Sequence, residues 1–170
     1  MARRTLTLRG VLDPLAKEII ALPEQIFAFE SAGTDRAWKV IRWSMWPSDF
    51  GESQQWTSGT YPQVHHTLYT DEGGNPADLK ADENRSIGWS IWSSTIGKEM
   101  KCLSPLFAWT ELDPDHLVTG QLFIGSAICC HATDAALTTT WSYMIELESR
   151  KVSPAENILQ TLKGRGQDVG

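Results

Sequence analysis

Residues Trp141–Glu156 read WSYMIELESRKVSPAE, and this stretch decides the fold. Trp141, Tyr143, Ile145 and Leu147 alternate with Ser142, Met144, Glu146 and Glu148, the period of two expected of a strand with one buried face. The alternation then gives way to a helix start. Ser153 suits the N-cap, Pro154 the first helical position, and Glu156 completes a capping box. Ile158, Leu159 and Leu162 form one apolar stripe, and Gly164 is placed to end the helix. A helix of about ten residues does not persist alone in water, so it needs a docking surface, its own sandwich or a neighbouring subunit.

Seven further strands lie upstream. Ser86–Ser93 sets Ile87, Trp89 and Ile91 against Ser86, Gly88 and Ser90, which predicts a half-buried strand. His116–Cys130 has the same character, with Gly120 and Gly125 as expected bends or bulges. Ala37–Trp46 is apolar on both faces, Trp38, Val40 and Trp46 on one and Ile41, Trp43 and Met45 on the other. Such a strand is either covered twice or contributes to a contact with another chain. Thr5–Gly10, Gln25–Ser31, Gln63–Thr70 and Leu103–Thr110 are weaker, and Leu137–Glu148, around the opening stretch, makes eight. Asp13-Pro14 is read as capping a brief helix with Leu15, Ile19 and Leu22 on one stripe, or as part of an extended run.

Many strands without βαβ alternation predict an all-β fold: an eight-stranded jelly-roll β-sandwich or barrel of two facing four-stranded sheets, with a short C-terminal helix. An immunoglobulin-like sandwich is the rival, but it needs fewer residues and the Cys…Trp…Cys pattern is missing. Residues 1–10 are expected as an N-terminal arm or first strand, 11–150 as the jelly-roll domain, and 151–170 as the helix and tail.

The 170 residues suit one domain with a proper core. A net charge of −6 argues against a protein whose main work is gripping a phosphate backbone. The local exception is the start, where Arg3, Arg4 and Arg9 stand without an acid among the first ten residues. Cys102, Cys129 and Cys130 do not make a disulfide framework and read as free thiols in a reducing compartment. The N-terminus lacks the apolar core of a signal peptide and no run reaches the length of a membrane span, so synthesis in a cytoplasm is expected. Eight tryptophans are many for this length and point to more than one buried surface.

Catalytic motifs are missing. Gly88-Trp89-Ser90-Ile91-Trp92 lacks the closing glycine of a nucleophile elbow. Gly164-Arg165-Gly166 follows a helix instead of opening one, so it is no phosphate loop. His65 and His66 point to opposite faces of a strand and lack the H-x-H spacing of a jelly-roll metal site. No metal, cofactor or small-molecule substrate is expected.

Three segments together resemble small β-barrel virion proteins of environmental and prokaryotic viruses: DENRSIGWSIWSS, LDPDHLVTGQLFIGSAICC and WSYMIELESRKVSPAENILQTLKGRGQDV. The likeness is one of layout and texture over roughly the second half of the chain. It implies a single jelly-roll capsid subunit that self-assembles into an icosahedral shell and carries no catalytic residues. The long arginine-rich arm of many small-genome capsid proteins is missing. A shell around an internal membrane, or one built with other virion proteins, suits the acidic charge better. On this reading Trp43, Trp46 and Trp56, with Ile158, Leu159 and Leu162, are the expected subunit contacts. Arg3, Arg4 and Arg9 are expected to face the interior, touching nucleic acid or a membrane. Two alternatives stand beside it: a carbohydrate-binding β-sandwich with tryptophans in line on one face, and a cupin-like metalloenzyme using His65 or His66, His116 and His131.

Overall fold

The structure, a computed structural model, describes residues 4–12, 20–29, 35–48, 63–76, 82–95, 104–128 and 140–165. Eight strands and one helix follow in order: β1 (Thr5–Leu12), β2 (Ile20–Ala28), β3 (Arg36–Pro47), β4 (Gln63–Tyr69), β5 (Ser86–Thr95), β6 (Ser104–Leu112), β7 (Gln121–Ile128), β8 (Trp141–Lys151) and α1 (Pro154–Arg165). All strand pairs are antiparallel, in a three-stranded sheet β1-β8-β3 and a five-stranded sheet β2-β7-β4-β5-β6. The chain is therefore an eight-stranded β-sandwich with a short C-terminal helix, as the alternation predicts. The Leu22 end of the helix expected after Asp13 is instead strand β2; residues 13–19 lie outside the described residues.

The core forms where the two inner faces meet. Trp141, Ile145 and Leu147 of β8 are fully buried, with Leu12 of β1 and Val40 and Trp43 of β3 beside them. Val64, Leu68, Trp92, Leu122 and Ile124 face them from the larger sheet. Gly88 is required at the closest approach. A Cβ there would fall 2.9 Å from both Leu112 Cδ2 and Trp43 Cε3, so no larger residue fits without displacing them.

Two β-bulges correct the predicted faces. Val40 pairs with Leu147 and Arg42 with Glu146, so Ile41 is an extra residue without a partner. The phase of β3 shifts there. Val40 and Trp43 are both in the core with Trp38 and Met45 packed against it, while Ile41 and Trp46 are exposed. The strand is thus not apolar on both sides; one bulge turns two apparent stripes into one. In β5, Ile87 is the extra residue between the partners of Leu68 and Tyr69. Ile87 is in the core as expected, but beyond it Gly88 and Trp92 face the interior together with Ser90, opposite to the predicted facing. Trp89 and Ile91 lie half-buried on the outer face.

The split is three and five strands, where four and four were expected, because β6 pairs with β5 and forms no ladder with β3. The open edge of β3 is satisfied otherwise. Trp38 and Val118 exchange backbone bonds of 2.9 and 2.7 Å, and the Val40 N–H donates to His116 Nε2 at 3.0 Å. His116 Nδ1 in turn donates to the Asp113 carbonyl. A short segment thereby does for β3 what an edge strand would, and keeps it from recruiting another chain's backbone.

Candidate functional site

Helix α1 starts from a fixed point. Val152 is buried and its N–H donates to Asp35 O at 2.9 Å, which ties the strand end to the sandwich. The next residue opens the capping box. Ser153 Oγ accepts from the Glu156 N–H at 3.2 Å, and Glu156 Oε2 accepts from the Ser153 N–H at 3.5 Å. The helix runs through Gly164 to Arg165, slightly beyond the predicted end. Its stripe does not dock on its own sandwich: Ile158, Leu159 and Leu162 are 60%, 66% and 58% exposed.

Three exposed apolar side chains also stand among polar ones on the outer face of the three-stranded sheet. Val11, Ser142 and Trp46 form one row across β1, β8 and β3, followed by Arg9, Met144 and Ser44, then Thr7, Glu146 and Arg42. Val11 is 58% exposed, Trp46 41%, and Ile41, thrown outward by its bulge, 46%. Arg9, Ser44 and the Arg42–Glu146 pair, 4.0 Å apart, separate Ile41 from the Val11–Trp46 row.

The predicted contact residues therefore separate. Ile158, Leu159, Leu162 and Trp46 are exposed, whereas Trp43 is 3% exposed and belongs to the core, so it cannot touch another subunit. Trp56 lies outside the described residues. Val11 and Ile41 were missed. The signal was available in part, since Val40 and Trp43 are three apart and an apolar stripe that changes phase within a strand announces a bulge. Arg4 and Arg9 are exposed, but they are not on a free arm. Arg4 O accepts from the Ser149 N–H at 2.8 Å, and Arg9 is within β1. Arg3 lies outside the described residues.

The three described histidines do not converge. His66 projects into the core and His65 from the opposite face of β4, while both ring nitrogens of His116 are bonded to backbone. His131 lies outside the described residues, and among those described no group of three His, Cys, Asp or Glu side chains is placed to hold a metal. Among the described residues the exposed tryptophans, Trp46 and Trp109, stand on different sheets and do not form a line.

One polar row of the larger sheet, buried except for Thr110 at its β6 end, was not foreseen. Thr110, Ser90, His66 and Ser126 are register partners across β6, β5, β4 and β7. His66 Nδ1 is 2.8 Å from Ser126 Oγ, and Thr110 Oγ1 donates to Ser90 Oγ at 3.4 Å. The His66 ring meets Trp141 edge-on at 4.5 Å, and its Nε2 has no hydrogen-bond partner. Burial, helped by the neighbouring His65, lowers its pKa to about 3. His66 and Ser126 have the atoms of a base and a nucleophile, but they are sealed from solvent, and an imidazole this weakly basic takes no proton near neutrality. The pair orients the core instead. Burial lowers the pKa of His116 as well, against the raising effect of the Asp113 carbonyl, and keeps Nε2 an acceptor for Val40.

The geometry thus offers one bare apolar stripe, on α1, and no convergent reactive cluster among the described residues. Comparison with protein-family models, curated proteins and solved structures gave no match.

Proposed function

We propose that this chain is a virion structural protein, a jelly roll that assembles with copies of itself into an icosahedral shell. The observation that carries the proposal is the bare stripe of α1. A capping box and a buried anchor at Val152 hold this helix in place, yet three large aliphatic side chains face solvent. Their exposure costs nothing only if another surface covers them. The strand pairing supports the jelly-roll reading. β1 pairs with β8, β2 with β7 and β4 with β5, the nested order left by rolling up one long antiparallel hairpin; β6 alone leaves the nest.

The subunit's partners are copies of itself and other virion proteins, and it is made in the host cytoplasm. Of the three N-terminal arginines, Arg4 and Arg9 are described and exposed, open to nucleic acid or an internal membrane. With a net charge of −6 such contacts are weak, and genome packaging falls to other components. Sedimentation velocity over a wide range of protein and salt concentration tests the proposal. Mass must grow with concentration; a monomer throughout refutes it.

A further inference from the structure

The edge of β3 is closed at one point by a side chain that titrates. Trp38 is held there by backbone alone, through its two bonds with Val118. Val40 is held by the His116 ring, whose Nε2 accepts its N–H at 3.0 Å in a buried setting. Inside a sheet that place is filled by a backbone carbonyl, which does not protonate near neutrality.

The ring has no room for a second proton. Nε2 accepts from Val40, so the one proton of the neutral ring sits on Nδ1 and is donated to the Asp113 carbonyl. An added proton goes to Nε2 and makes it a donor. Two donors then face each other at hydrogen-bond distance, in a site where His116 is only 4% exposed. The charged groups acting on the ring are Lys39 of β3 and Asp113 of its own segment. Burial, the largest effect, and Lys39 oppose protonation; the Asp113 carbonyl and carboxylate favour it. Lys39 Nζ donates to Pro114 O, and Asp113 Oδ1 accepts from the Asp115 N–H at 2.9 Å.

The segment that carries His116 is fixed on either side of it. The Asp113 N–H donates to Ile87 O at 3.0 Å, and Val118 is fully buried in the core. What is left to move between them is the imidazole. We infer that His116 is a proton-operated latch: the neutral ring closes the β3 edge at Val40, and the protonated ring swings away and bares that N–H while the Trp38–Val118 bridge stays shut. Released into solvent, the ring takes up a proton near its ordinary pKa of 6.5, whereas in the latched position its pKa is lowered. The latch is therefore shut above pH 6.5. It opens more often as pH falls below that value, by close to tenfold per pH unit, until the latched ring itself takes up a proton. In an acidic compartment the chain thus offers a backbone donor on an edge that is closed at neutrality.

Amide hydrogen exchange of the full-length protein, kept dilute enough to stay unassembled, tests this between pH 7.5 and 5.5. Rates are expressed as protection factors, which removes the intrinsic pH dependence of exchange. Val40 protection is expected to fall by up to about tenfold over that range, with Trp38 protection unchanged. In His116→Gln, which keeps an acceptor oxygen and does not titrate, Val40 protection is expected to be independent of pH. The imidazole nitrogen shifts of wild type give a second measurement that does not depend on the variant. They must report a neutral ring with its proton on Nδ1 at pH 7.5. Val40 protection that ignores pH, a fall shared equally by Trp38, a fall that persists in His116→Gln, or a proton on Nε2 at pH 7.5 each overturns the latch.

Discussion

His66 gives the sharpest test of the interior. It is wholly buried on the inner face of β4, bonded through Nδ1 to Ser126, and its pKa is lowered to about 3 by burial and then by His65. The unfolded chain takes up a proton there near pH 6.5 and the folded chain does not. Stability is thus complete above pH 6.5 and is lost as pH falls, by a factor of about ten in the folding equilibrium per pH unit, levelling off only near pH 3. Between pH 7.5 and 4.5 the loss is about 3 kcal/mol. His66→Phe keeps a ring against Trp141 and removes the titration. Its cost is the Ser126 hydroxyl left without its partner, about 1–3 kcal/mol and independent of pH. The variant is therefore less stable than wild type at pH 7.5 and about equal near pH 5. Urea unfolding at pH 7.5, 6.5, 5.5 and 4.5, in the Leu159→Glu background to keep folding separate from assembly, measures this. The stability gap must close by about 3 kcal/mol over that range. A gap that stays constant refutes the reasoning, because His66 would then take up its proton in the folded state. His65 and His116, whose pKa values burial also lowers, keep some acid sensitivity in both proteins.

Three further outcomes are expected. Trp141→Ala removes a 2% exposed ring that touches both His66 and Trp92, and costs about 3–5 kcal/mol in urea unfolding; Trp46→Ala, on the surface, stays within about 0.5 kcal/mol. His116→Ala frees the Val40 N–H at the open edge of β3 and costs about 1–3 kcal/mol, with amide exchange at Val40 accelerated ahead of the core. Ser153→Ala removes the cap of α1, at a cost of about 1 kcal/mol to the helix. Helical ellipticity and assembly must fall together while the urea midpoint of the sandwich is unchanged.

Local chemistry in the sequence carried most of this architecture. The period of two in Trp141–Leu147 is enough to mark β8, and the Ser153–Glu156 box marks the start of α1. Features that depend on pairing were hidden. One extra residue at Ile41 moves Trp43 from a predicted contact to the core, and nothing local to that residue says where the partner strand slips. Ser86–Ser93 has the right period and, beyond Ile87, the opposite facing, because small Gly88 and Ser90 leave room for rings that cross the sandwich from β3 and β8. The choice of β5 over β3 as the partner of β6 depends on His116 and Val118 closing the β3 edge, contacts some eighty residues apart in the chain. The stripe of α1 was legible as a docking face; its exposure shows that the surface it needs is not its own sandwich.

Electron microscopy of the purified full-length chain tests the central claim most directly. Held above its association threshold, the protein is predicted to form closed particles of uniform diameter, and these are lost in the Leu159→Glu variant. A wild-type field of dispersed single subunits at every concentration and salt would contradict the account.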